Sequence, residues 1–232
     1  MLSTKDITTG GSGKIPKTLK PGNTVAKILD ITLQPLKSDP EAYYLMLHLE
    51  GEEQGDDFEG FFYDKDNPAK GRAKGQVGKV RYSMYPYRNG VTKAGKPKKR
   101  DFELLRSLVE IATIMNKKDQ LDMIQTTEIQ DFVKQAAKIL CTGEYFNWCL
   151  GGAAYVKDDG NKDFTLSLPR YDKNYKPFEP VGTTPSTVAI FNYATHVEDK
   201  TEAQAPSTAE GWGASSEASS DAGKWTPTGF DI

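Results

Sequence analysis

The sequence predicts a mainly β domain with α content: a small antiparallel β-barrel, closed or partly closed, with a helical insertion and a disordered C-terminal tail. Three observations point there. Apolar residues recur with period two in several short runs, change to helical spacing from about residue 101 to 138, and return to period two after residue 144. The 232 residues suffice for one buried domain of about 150 to 180 residues plus appendages. Several short antiparallel strands around a helical insertion suit a barrel, in which no long strand edge stays unpaired.

Taken in order, residues 1–22 are Gly, Ser, Thr, Lys and Pro with isolated Ile7, Ile15 and Leu19, and read as a mobile arm. The folded domain is expected over residues 23–180. "TVAKILDITL" (Thr24 to Leu33) and "YYLMLHLE" (Tyr43 to Glu50) read as two antiparallel strands joined by the connection from Pro35 to Pro40. In the second, Tyr43, Leu45, Leu47 and Leu49 share one face and Tyr44, Met46, His48 and Glu50 the other. A third strand is expected at Phe58 to Tyr63. A fourth, from Lys79 to Arg88, is closed by the hairpin pair Asn89-Gly90.

From Asp101, read as an N-cap, Leu104, Leu108, Ile111 and Met115 recur at helical spacing with Leu105, Val109 and Ala112 beside them. A second helix is expected from Ile129, Phe132, Val133, Ala136 and Ala137, preceded by Thr127 and Glu128. Strand signals return from Glu144 to Val156, turn at Asp159-Gly160, and continue from Phe164 to Tyr171. Residues 181–200 form a partly docked linker whose apolar cluster, Val188 to Tyr193, is expected to touch the domain. Residues 201–232 are low-complexity and expected to be disordered.

Charge is segregated along the chain. The formal net charge is −2, yet the span from Lys65 to Arg100 holds twelve basic residues and one acid, Asp66. A basic track gains affinity for phosphates by counterion release, whatever the base sequence. Tyr82, Tyr85 and Tyr87 are interleaved with these charges, and an aromatic platform beside a cationic track grips single strands by stacking their bases. The candidate single-stranded DNA contacts are therefore Lys70, Arg72, Lys74, Lys79, Arg81, Tyr82, Tyr85, Tyr87, Arg88, Lys98, Lys99 and Arg100. With period two, Lys79, Arg81, Tyr85 and Tyr87 lie on the wet face of their strand, and Val80, Tyr82 and Met84 on the other.

Catalytic and metal-binding constellations do not assemble in the sequence, and no cofactor is expected. "GGSGKI" lacks both the first glycine and the Ser/Thr of a phosphate loop. The acids Glu52, Glu53, Asp56, Asp57, Glu59, Asp64 and Asp66 read as a charged turn; a metal-dependent nuclease built on them is the weakest of three functional readings. Cys141 and Cys149, with only His48 and His196 elsewhere, fit free thiols in a reducing cytoplasm. No run approaches the roughly 18 apolar residues of a membrane span, so a soluble cytoplasmic protein is expected.

The chain ends "GKWTPTGFDI", with Trp225, Phe230 and Ile232 at the tip of a polar tether. A β-rich core, a basic tyrosine-bearing hairpin and such a tail resemble the single-stranded DNA-binding proteins of the oligonucleotide/oligosaccharide-binding (OB) fold, particularly those of tailed bacteriophages. In bacterial members the tail ends in acids and Asp-Ile-Pro-Phe; here Gly229-Phe230-Asp231-Ile232 has the same residue types in another order. The resemblance implies a protein that coats single strands in replication, recombination and repair, in the host cytoplasm if viral. It further implies that Trp225, Phe230, Asp231 and Ile232 dock on replication or recombination proteins. A recombination or nuclease accessory protein is the alternative reading.

Overall fold

The structure is a computed structural model that describes residues 18–55, 74–91, 95–169 and 175–201. The expected strand at Phe58 to Tyr63, the cations Lys70 and Arg72, and the tail residues Trp225, Phe230, Asp231 and Ile232 lie outside the described residues. In chain order the elements are β1 (Gly22–Leu36), β2 (Asp39–Glu53), β3 (Gly75–Arg81), β4 (Gly90–Val91), β5 (Pro97–Lys98), α1 (Arg100–Ile114), α2 (Lys118–Asp122), α3 (Ile129–Leu140), β6 (Tyr145–Val156), β7 (Lys162–Ser167), β8 (Phe178–Pro180), α4 (Tyr193–His196) and β9 (Val197–Asp199).

Five strands close into a barrel in the order β1-β2-β3-β7-β6, with β6 returning to β1. Every pairing in the ring is antiparallel except β3 with β7, which is parallel, so the barrel is mixed. Helices α1, α2 and α3 are inserted between β5 and β6. This mainly β barrel with its helical insertion is consistent with an OB-like fold. No helix among the described residues is long and apolar enough to cross a membrane.

Period two explains the barrel interior. Leu45, Leu47 and Leu49 alternate along β2 and are fully buried, as are Val80 of β3 and Leu150 of β6. Leu104, Leu108 and Ile111, at helical spacing on α1, and Leu140 of α3 join the same core. Trp148 stacks on Phe178 at 4.2 Å between centroids and donates its indole N–H to the Ala26 carbonyl at 2.9 Å, tying β6, β8 and β1 together.

Several local expectations are corrected. The β1–β2 hairpin turns on Lys37-Ser38 alone, because Pro35 and Pro40 sit where these strands pair only with each other and no ladder N–H is lost. Asn89-Gly90 closes no two-residue hairpin, since Gly90 already pairs with Lys98. Instead the Asn89 side-chain oxygen accepts the Arg100 N–H at 3.0 Å, capping α1 from a distance. Lys99, not Asp101, is therefore the N-cap residue. The second helix has Glu128 as N-cap, and the short α2 stands ahead of it. Leu19, in the expected arm, is buried in the core and donates its N–H to Val77.

Residues 183–192 run as a strap over β6 and β8. Val188 is buried, whereas Ile190 is 87% exposed, so polar contacts hold the strap more than apolar ones. Asn23 donates to the Ala189 carbonyl and accepts from Phe191 N–H. Buried Glu179 accepts three hydrogen bonds, from the Ser186 hydroxyl, Thr187 N–H and the Thr187 hydroxyl, at 2.6 to 2.7 Å. Burial pushes its carboxyl up, but these donors prevail and hold it below the usual glutamate range. Its contribution is thus present above about pH 4 and is lost as pH falls through the lowered native value. Glu179→Gln is expected to cost about 1–3 kcal/mol at neutral pH and to flatten the loss of stability on the acid side. Urea unfolding of both proteins between neutral pH and pH 3 checks it; parallel pH profiles would refute it.

Candidate nucleic-acid interface

The register across β1, β2 and β3 lays out one outer face. Asp30, His48 and Lys79 form one cross-strand row, and Thr32, Met46 and Arg81 the next, with Tyr44 diagonal to Arg81. The Arg81 guanidinium lies 4.2 Å from the Tyr44 ring centroid, a cation–π pair on the barrel wall. His48 is buried, and its Nε2 meets the Thr32 hydroxyl at 2.8 Å, which braces the middle of the face. Tyr44 was passed over in the sequence because its neighbour Tyr43 continues the leucine face. Its pairing with Arg81 spans two strands and leaves no local signal.

The chain then departs from period two. Tyr82 N–H still bonds the Leu45 carbonyl, but Tyr43 bonds Tyr87 in both directions, where an unbroken ladder would bring residue 84. Three additional residues therefore bow out between two fixed points, and the phase slips. The expected wet-face position of Tyr87 is corrected: Tyr82 and Tyr87 are both buried, at 6% and 8% exposure. Tyr82 donates to Glu110 Oε2 at 2.7 Å. Tyr87 meets the Ser107 hydroxyl at 2.8 Å, and because Ser107 gives its own proton to the Glu103 carbonyl, Tyr87 is the donor. Both rings line the groove described below. Tyr85, on the crest of the bow, is 57% exposed, and the Ser83 hydroxyl accepts its N–H.

The expected cations divide in two groups. Arg100 is engaged by Asp101 at 2.7 Å and Glu41 at 3.2 Å and stacks over Tyr43, so its charge is spent within the protein. Lys74 pairs with Glu53 at 3.3 Å. Lys79, Arg81, Arg88, Lys98 and Lys99 have no carboxylate partner among the described residues. They run from the β2–β3 face past the bow to the β4–β5 hairpin and the start of α1.

Between the bow and α1 lies a groove of about 500 Å³. Glu103, Arg106 and Glu110 line it from successive turns of α1, Tyr85 and Lys98 from the other side, and Leu168 and Pro169 from beyond β7. The helical spacing of these charges was readable, but not what they would face. A second feature missed in sequence is His196, whose Nδ1 lies 3.7 Å from Cys149 Sγ across 47 residues. That nitrogen already accepts the Asn192 N–H, and burial pushes the Cys149 thiol up to about 11, so the pair is not an activated nucleophile. Among the described residues, no group of three or more His, Cys, Asp or Glu side chains stands close enough to hold a metal ion.

Tyr87 yields an alkaline prediction. Burial pushes its phenol up to about 12, the Ser107 hydroxyl opposes this, and the Glu110 and Glu103 charges add to it. The stabilisation is therefore complete below about pH 10, the ordinary tyrosine value, and is lost as pH rises towards the native one. Tyr87→Phe is expected to cost about 0.5–1.5 kcal/mol at pH 7 and to lessen the alkaline loss, as read by urea melts from pH 7 to 11. An unchanged stability with weakened DNA binding would instead make Tyr87 a platform. No family model, curated protein or solved structure matches this chain.

Proposed function

We propose that this chain is a sequence-nonspecific single-stranded DNA-binding protein that protects and organises single strands in phage replication and recombination. The Arg81–Tyr44 pair on the β2–β3 face carries the reading. In OB-like barrels the face of the second and third strands, with its adjoining loops, is where oligonucleotides lie. A guanidinium parked on an aromatic ring keeps a flat, cationic surface in place for a base on one side and a phosphate on the other. Tyr85 offers a second stacking surface. Lys79, Arg88, Lys98 and Lys99 supply the phosphate track, since no carboxylate among the described residues neutralises them. Duplex DNA hides its base faces, so the arrangement favours single strands.

Tyr44→Ala and Tyr85→Ala are each expected to weaken single-strand binding by about 1–3 kcal/mol with little change in salt dependence. Lys79→Ala is expected to lower the salt slope by about one unit. Titrations with single-stranded and duplex oligonucleotides of matched length, at two salt concentrations, read both. Equal affinity for duplex, or full affinity in Tyr44→Ala, would overturn the proposal.

The tail completes the proposal. A polar tether presenting Trp225, Phe230, Asp231 and Ile232 suits a small amphipathic plug for pockets on replication or recombination proteins. Removing residues 230–232 is expected to leave DNA affinity unchanged and to abolish most recovery of such proteins in pull-downs from infected cells. Equal recovery by full-length and trimmed protein would refute the plug.

A further inference from the structure

Resting on that reading, we infer that the groove between the bow and α1 is a subsite for a single extruded base, and that guanine fits it best. The groove begins where Arg81 ends β3, so a strand lying on the β2–β3 face reaches it without a break. Its volume of about 500 Å³ falls in the range of pockets that bury a small ligand. Exposed Tyr85 forms one wall and offers a stacking face, and Lys98 lies beside it for a phosphate.

The opposite wall carries the discrimination. Arg106 follows Glu103 by one helical turn and precedes Glu110 by another, so all three lie on one side of α1. Glu110 is occupied by the Tyr82 hydroxyl. The carboxylate of Glu103 and the guanidinium of Arg106 have neither a hydrogen bond nor an ion pair among the described residues, not even with each other. An uncommitted acceptor fork next to an uncommitted donor fork, in a groove with an aromatic wall, is matched by a flat ring bearing the complementary pair on adjacent edges. Guanine presents N1–H and N2–H₂ as paired donors, and O6 and N7 as paired acceptors. Thymine has a single ring N–H between two carbonyls, which a carboxylate disfavours. Cytosine and adenine each offer one amino group and so meet only part of the site. The protein thus binds single strands of any sequence along its face while preferring a guanine at one position.

The test uses the full chain and short oligothymidylates in which one central residue is replaced by dG, deoxyinosine, dC or dA, with affinities read by fluorescence anisotropy. A single dG is expected to tighten binding by about fivefold or more, the lower bound for one bidentate pair. Deoxyinosine lacks the N2 amino group and should lose most of that gain. Glu103→Gln and Arg106→Ala should reduce the dG preference while leaving affinity for plain oligothymidylate and the melting temperature nearly unchanged. Tight binding of oligothymidylate with no dG preference, or a dG preference that survives both substitutions, would overturn the subsite and leave the function proposed above standing. Failure to bind any single strand would overturn both.

Discussion

The architecture depends on one strand being allowed to change partners halfway along. The first half of β6 is held between β1 and β8, and the second half between β7 and β9, with the switch at Gly151 and Gly152. Side chains are excluded there. A Cβ on Gly152 would lie 2.0 Å from the Thr165 carbonyl oxygen, and its φ of +148° is one that other residues rarely adopt. A Cβ on Gly151 would lie 2.3 Å from the His196 carbonyl oxygen. Bare backbone at these two positions lets β7 and the end of α4 close in from both sides.

Closure in turn positions the candidate interface. The parallel contact of β3 with β7 is short, Val80 with Leu166 and Arg81 with Ser167, and is extended by Leu168 N–H to the Arg81 carbonyl. β3 is thus fixed at the residue whose side chain covers Tyr44. Immediately beyond, the chain is released into the bow and recaptured at Tyr87. The buried tyrosines that flank the bow bond to α1, so the barrel, the helix and the exposed Tyr85 form one rigid frame. The proposed binding surface is therefore built from the ends of regular elements, where backbone is held but side chains still face outward.

This division also accounts for what the sequence disclosed. The leucines of β2, the apolar stripes of α1 and α3, and the Asp159-Gly160 turn obey local periodicities, and all are found where period and turn chemistry put them. The bow defeated the same reasoning: Pro86 marks a break in the ladder but not three extra residues, so period two assigned Tyr87 to solvent. Asn89 was read as a turn residue because its partner, the start of α1, is eleven positions away. Tyr44 with Arg81 and Cys149 with His196 are pairings created by tertiary approach. β8 and β9, three residues each, are too short to show any period.

The partner switch in β6 has a consequence for how the chain emerges from the ribosome. Ala26 and Trp148, joined across the β1–β6 seam, are 122 residues apart. At about 5–20 residues per second, roughly 6 to 24 s pass between the synthesis of β1 and that of its second neighbour. During that interval β1 has only β2 to pair with, its row of leucines has no roof, and the edge that meets β6 is bare. Glu52 and Glu53, both exposed at the end of β2, keep that hairpin charged at one end. Like charges at the end of a strand disfavour edge-to-edge pairing of two such hairpins.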